Sequence, residues 1–194
     1  MPTTLIPEIL KKSELLLDRA AIGQVIARMA DEIASDYPVQ PFAEASVPDK
    51  VPLFITIMHG GLLFAAQLSL ELGARGIDLQ FDYLHATRYC GLNSSCELIW
   101  KHRPDTPLFN RDIILVDDIL DEGPTLRDVR AWCLEQGASN VRIAALLVKD
   151  HNRRDPQLRA DYVGITVPDR YVFGFGMDYY EQGRNLPNIY ALKE

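Results

Sequence analysis

The chain of 194 residues is poor in cysteine, has no excess of positive charge and contains no long apolar run. Its three cysteines, Cys90, Cys96 and Cys133, are odd in number and form no C-x-x-C pair. That argues against a disulfide framework and a zinc site alike, and fits reduced thiols in the cytoplasm. Lys and Arg total 20 against 27 Asp and Glu, a net charge of -7. A nucleic-acid partner is therefore not expected, because phosphate backbones are held by clustered cations. Any phosphate this chain binds must be held locally. No stretch approaches the roughly 20 apolar residues of a membrane span, and "MPTTLIPEILKKSELLL" lacks the pattern of a secretory leader. No membrane partner is expected, and without secretion the sequon Asn93-Ser94-Ser95 carries no meaning. Three catalytic signatures are missing too. Without G-x-S-x-G, "MHGGLL" does not make an α/β-hydrolase. Without G-x-G-x-x-G or a Walker lysine, dinucleotide dehydrogenases and P-loop enzymes are disfavoured.

The hydrophobic share, 47%, is enough for one well-buried core at this length, so residues 1–194 should form one domain with at most a small subdomain. From Asp18 to Ser35, Ile22, Val25, Ile26, Met29 and Ile33 recur at helical steps. "DYPVQPFAEASVPDKVP", with four prolines, reads as a surface connection. "LFITIM" then reads as a buried strand, Gly60-Gly61 as a turn, and "GLLFAAQLSLELGARG" as a helix with Phe64, Leu68 and Leu72 inward and Gly73 placed to stop it. The unit recurs as strand "IILV", a turn at Gly123, and a helix from Pro124 with Leu126, Val129 and Cys133 inward and Gly137 at its end. "VRIAALLV" is a further strand. Strands alternating with helices predict an α/β fold, a mostly parallel twisted sheet with helices on both faces. "LQFDYLHATRYCGLNSSCELIW" begins as a strand and drifts into a long loop or a projecting hairpin. The aromatic tail from about residue 161 should form short strands that, with N-terminal residues, make a small hood over a site.

"IILVDDILDEGPTL", residues 113–126, crowds four carboxylates behind an apolar strand. Repulsion on the order of 1 to 4 kcal/mol per close pair makes this a poor device for solubility, so something cationic or rich in hydroxyls should sit there. In an open parallel sheet, ligands bind beyond the carboxyl ends of the strands, where both glycine turns lie. Each turn starts a helix, whose free N–H groups and positive dipole end suit phosphate. Asp117 and Asp118 then make sense as acceptors for a sugar diol or as ligands of Mg²⁺.

A turn of Asp-Glu-Gly-Pro-Thr after a strand ending in Asp-Asp resembles the fingerprint of the type I phosphoribosyltransferases. Asp121 resembles the residue found in the enzymes for 6-oxopurines, "LLVKD" the strand that supplies a base-binding lysine, and "VPDRYVFGFGMDYYEQGRNL" the hood. The likeness spans about Asp18 to Leu192 and is greatest to the hypoxanthine-guanine branch. It implies transfer of a 5-phosphoribosyl group from phosphoribosyl pyrophosphate (PRPP) to hypoxanthine or guanine, with Mg²⁺, in a homodimer or homotetramer. By resemblance, Asp117 and Asp118 would bind the ribose hydroxyls and the metal shell, and Glu122, Gly123, Thr125 and Leu126 would line the 5′-phosphate pocket. Asp121 would be the general base for purine N7. Lys149 would donate to O6, Tyr171 would stack on the purine, and the Val172 backbone would meet its edge. Met58, His59, Gly60 and Gly61 would form the pyrophosphate loop, through a non-proline cis peptide, with Arg184 adding charge. Asp178, on the purine side, would hold a second Mg²⁺, and Arg88-Tyr89 would lie on a closing lid.

Several residues depart from that pattern. Glu122 stands where a Thr is usual and must point to solvent, Pro124 removes a backbone donor, His59 replaces a Lys and Arg88 a Ser. PRPP binding should therefore lean harder on Mg²⁺. Plainer readings compete with the sharp ones. Lys149 alone could be a strand-end lysine reaching water. The period-2 spacing of Tyr171, Phe173 and Phe175 packs one face of the hood whatever else they do. The scattered His85, His102 and His151 suggest neither metal nor triad, and Asp150-His151 with Asn152-Arg153-Arg154 reads as a charged loop. A xanthine preference, and a ligand-sensing regulator on the same fold without turnover, stay open as alternatives.

Overall fold

The computed structural model describes residues 6–37, 51–90 and 96–193. The proline-rich connection falls mostly on residues 38–50 and the tip of the projecting segment on residues 91–95, both outside the described residues. Helix α1 (Ile6–Lys11) and strand β1 (Ser13–Leu17) precede α2 (Arg19–Asp36). Asp18 caps α2 by accepting a bond from the Ala21 N–H at 2.8 Å, a contact worth about 0.5–2 kcal/mol. Then come β2 (Leu53–Ile57), α3 (Leu62–Ala74), β3 (Gln80–Cys90), β4 (Cys96–His102), β5 (Asp112–Leu120), α4 (Pro124–Glu135), β6 (Asn140–Asp150), β7 (Tyr162–Pro168), β8 (Val172–Phe173) and β9 (Ile189–Leu192).

Six strands form one sheet in the order β4-β3-β2-β5-β6-β7, and all neighbours run parallel except β3 and β4. This is the expected α/β architecture, and the alternation of side chains along the strands explains it. On β5, Ile114 and Val116 face a core built with Ile22, Ile26, Phe64 and Leu68 of α2 and α3. Ile113 and Leu115 face the opposite core, built with Leu126, Val129 and Cys133 of α4. Both faces of the central strands are covered, so these strands read as continuous apolar runs. Because β2 leads outward to β3 and β5 leads the other way to β6, the ends of β2 and β5 flank the crossover of the sheet, where a crevice opens.

Some expectations change in detail, and one left open is decided. Helix α3 passes through Gly73 and ends at Ala74, and Gly76 just beyond it takes a φ of 78°, the left-handed value that suits a stop. The projecting segment is an antiparallel hairpin, β3 with β4. Residues 162–168, within the tail expected to form the hood, instead add β7 to the large sheet through pairing with β6. A separate three-stranded sheet, β1-β9-β8, joins the N-terminal strand to the tail. The aromatic alternation stops at Phe173, because Gly174 and Phe175 both take positive φ and turn the chain. Phe173 and Phe175 are buried while Tyr171 stays open.

Candidate active site

Beyond the ends of β2, β5 and β6 lies a cleft of about 540 Å³, lined among others by Met58, His59, Gly60, Asp117, Asp118, Asp121, Lys149, Tyr171, Asp178 and Arg184. Glu122, Gly123, Thr125, Leu126 and Val172 also border it. Most of the residues singled out from the sequence therefore meet in one place. Gly123, with φ of 80°, lets the chain leave β5 and enter α4 at Pro124. A side chain there would strike Leu158 and Leu120 at 2.2 and 2.7 Å.

The loop after β2 carries a cis peptide between Met58 and His59. Gly60 faces the acidic pair so closely that a Cβ would sit 2.0 Å from Asp118 Oδ2. Gly61 does something else. Its N–H donates to Ile57 O at 3.0 Å, and a Cβ would lie under 3 Å from Val116 O and Ile57 O. It serves close packing of α3 on β5 and does not border the cleft. His59 sets its ring edge against that of His85, with centroids 4.5 Å apart. Burial first, and then His59, pushes the His85 imidazole below its ordinary value.

The acids at the end of β5 fall into two groups. Asp118 is 7% exposed, and among the described residues neither it nor Asp117 takes part in a recorded ion pair. Their visible partners are backbone: Asp118 N–H donates to Asp117 Oδ1 at 3.0 Å and Ile119 N–H to Asp118 Oδ1 at 2.8 Å. Burial, and then repulsion from Asp118, pushes Asp117 well above the usual carboxylate range, and burial also raises Asp118. Asp121 is the opposite case. Lys149 Nζ donates to its Oδ2 at 2.6 Å, and His151 Nε2 lies 2.7 Å from its Oδ1. Burial acts to raise this carboxyl, but the bonds from Lys149 and His151 outweigh it and hold it below its ordinary value.

The loop after β6 was read as merely charged, and here the structure corrects that reading. His151 reaches Asp121, and Arg154 ties the turn to β6 by donating to Asp121 O at 2.8 Å and to Lys149 O at 2.5 Å. Arg153 donates to Glu122 Oε1 at 2.9 Å and to both oxygens of Asp169. Glu122 is thus drawn toward Arg153. No signal short of the folded contact could have found His151, since β5 and β6 are joined through α4.

In the hood, Arg184 donates to Gly176 O at 2.8 Å and pairs with Asp178 Oδ1 at 2.6 Å. Tyr171 donates its hydroxyl to Asp178 O at 3.1 Å and keeps its ring open to the cleft. Gly176, at φ of 102°, lies so near Gly60 O that a Cβ would approach to 2.1 Å, which locks the hood turn onto the loop after β2. Arg88 is not aimed at the cleft. It reaches from β3 to Pro124 O at 2.8 Å and to Asp128, bracing the first turn of α4. Tyr89 pairs with Glu97 in the hairpin backbone.

Residues 13–182 match the model of the phosphoribosyl transferase domain. The chain belongs to this family. Among curated relatives, hypoxanthine-guanine phosphoribosyltransferase of Lactococcus lactis is 37% identical over 178 residues, covering 91% of this chain and 94% of that one. The enzyme of the same name from Streptococcus pneumoniae is 30% identical over 182 residues, 93% of each chain. Of solved structures, a hypoxanthine phosphoribosyltransferase from Staphylococcus aureus superposes with a TM-score of 0.82 at 26% identity, covering 99% of this chain and 97% of that one. A ternary substrates complex of the Trypanosoma cruzi enzyme superposes with a TM-score of 0.83 at 25% identity, covering 94% and 97%. Phosphoribosyltransferases of this kind share the mixed α/β fold seen here. Among the described residues, no helix is long and apolar enough to cross a membrane.

Proposed function

We propose that this phosphoribosyltransferase acts in purine salvage, transferring the 5-phosphoribosyl group from PRPP to hypoxanthine or guanine to give IMP or GMP and pyrophosphate. The observation that carries the reading is the Asp121–Lys149 pair facing the same cleft as the Gly123 turn and the Asp117–Asp118 pair. A 6-oxopurine offers an N7 proton to a base and an O6 to a donor, and Asp121 and Lys149 supply both. Tyr171 gives a ring face for stacking and Val172 a backbone edge beside it. Glu122, Gly123, Thr125 and Leu126 open the N-terminus of α4 to the 5′-phosphate. Met58, His59 and Gly60 with Arg184 face the departing pyrophosphate, and Gly61 supports that loop from behind. Arg88 and Tyr89 lie toward the outer end of the β3–β4 hairpin, where closure would exclude water from the oxocarbenium-like centre.

The Asp117–Asp118 pair suits Mg²⁺, because burial raises both carboxyls and, among the described residues, no cation lies within ion-pair distance of either. Asp117 and Asp118 would hold the ion and the ribose hydroxyls, directly or through water, with Asp178 holding a second ion once Arg184 turns to pyrophosphate. Bound Mg²⁺ would neutralise the charge of the leaving pyrophosphate. Asp121 is kept ionised by its neighbours, so it is ready to accept the N7 proton when the base enters.

The reading extends to the whole molecule. Residues 1–194 form one phosphoribosyltransferase domain whose hood is the small sheet with the turns after β8. A homodimer or homotetramer is supported by Leu62, Leu70, Phe81 and Tyr83, all exposed on α3 and β3. A cytoplasmic location is supported by the free, buried Cys133, whose thiol burial pushes up to about 12. The test is incubation of the purified protein with PRPP, Mg²⁺ and hypoxanthine, guanine, xanthine or adenine, with each nucleotide identified. Turnover of hypoxanthine or guanine but not adenine is the expected result. A preference for xanthine would move the assignment within the oxopurine enzymes, and PRPP binding without any nucleotide product would favour a regulator.

A further inference from the structure

We infer that His151 is a positioning residue for Asp121, which keeps this carboxylate aimed and ionised at the moment Lys149 leaves it for the purine. The inference rests on the proposed roles of Asp121 as base and Lys149 as donor to O6. Each oxygen of Asp121 has its own close holder, Lys149 Nζ on Oδ2 at 2.6 Å and His151 Nε2 on Oδ1 at 2.7 Å, with Arg153 Nη2 farther from Oδ1 at 3.9 Å. The two holders differ in kind. Lys149 is an ammonium that other groups also attract, with Asp169 Oδ1 only 3.9 Å away. The His151 side chain is 4% exposed against 41% for Asp121, so packing fixes the imidazole while the carboxylate stays open to the cleft.

The neighbours of His151 fix its tautomer. The Arg153 N–H donates to Nδ1 at 3.2 Å, so Nδ1 carries a lone pair. In the neutral ring the proton then sits on Nε2 and points at Asp121. The charged groups around this imidazole are Asp121 from the turn after β5, Lys149 from β6, Asp169 after β7 and Arg153 on its own loop. A neutral N–H donor orients a carboxylate while lowering its basicity less than an ammonium does, since charge-assisted bonds are the stronger. When Lys149 turns to O6, Oδ2 is released for the proton while Oδ1 stays held by His151. The N7–H bond then breaks, the Oδ2–H bond forms, and the electron pair stays on the purine.

The experiment compares wild-type, His151→Ala and His151→Gln proteins with PRPP, Mg²⁺ and hypoxanthine, beginning with the wild type. His151→Ala should lower kcat about tenfold to a hundredfold, part of the 10² to 10⁴ that a general base contributes, with KM for PRPP and Tm near wild type. His151→Gln, whose amide can donate to Oδ1, should recover most of kcat. Nitrogen-15 spectra of the ligand-free protein should show His151 as the Nε2–H tautomer. Equal kcat in His151→Ala and wild type, equal losses in the Ala and Gln variants, or an Nδ1–H ring would each overturn the inference while leaving the transferase reading intact. A wild-type protein that turns over no oxopurine would overturn that reading, and this inference with it.

Discussion

Asp121 and the Asp117–Asp118 pair close the same strand, yet their surroundings push them in opposite directions. Asp121 is held below its ordinary range by cations and donors that the protein itself supplies. Asp117 is pushed above it by burial and by a like charge, and among the described residues no cation pairs with it. On the proposed roles, the difference teaches how one short acidic segment would serve two chemistries. A carboxylate satisfied by fixed partners is ready as a base, and a carboxylate pair left unsatisfied is ready for a cation that comes with the substrate.

The largest effect should come from removing the base without altering its shape. Asp121→Asn keeps the contacts of one oxygen and should lower kcat with hypoxanthine about 10²- to 10⁴-fold, measured by steady-state nucleotide formation. Full activity in that variant would end the distinction between the two groups. Next comes the cation that the acidic pair awaits. Removal of divalent metal with EDTA should cut turnover by about 10² to 10³, the equivalent of several kcal/mol, and added Mg²⁺ should restore it. Calorimetry should show PRPP binding weakened in EDTA by a comparable factor, and tight metal-free binding would contradict the reading of Asp117 and Asp118.

A smaller effect concerns stability, and its sign differs between the groups. The folded pKa of Asp121 lies below the ordinary value of about 3.9, so its contribution is present above that value and lost as pH falls through the folded pKa. Asp117 has a raised folded pKa, so it favours the folded state only at low pH, and that benefit is lost as pH rises from about 3.9 toward the folded value. In metal-free buffer at neutral pH, Asp117→Asn should therefore raise Tm by about 2–4 °C for each kcal/mol of strain relieved, while the gain in Tm that Mg²⁺ and PRPP give the wild type shrinks. The smallest change should follow Glu122→Ala. This side chain is half exposed and paired with Arg153, a surface contact worth about 0–1 kcal/mol. Its loss should alter PRPP affinity less than about fivefold.

What the sequence disclosed and what it withheld follow from the range of the interactions. The parallel sheet, the helix stripes and the two glycine turns were legible because periodicity and turn chemistry are local. The acidic segment at the end of β5 was legible because four carboxylates within six positions need a partner. Three things were not. Gly61 reads in sequence as one turn with Gly60, which borders the cleft, and only the approach to Val116 O shows that it serves packing. Arg88, placed by resemblance on a closing lid, has partners on α4 that no local pattern announces. His151 looked like surface charge because its partner belongs to another strand, and no spacing in the sequence encodes that meeting.

The claim most open to direct test is the opposite setting of the two groups. Carbon-13 labelling of the aspartate carboxyls and an NMR titration of the metal-free protein would read Asp117, Asp118 and Asp121 together, assigned through Asn substitutions. The account predicts that Asp121 titrates below the ordinary aspartate range and Asp117 well above it. Ordinary values at both, or the reverse order, would contradict it.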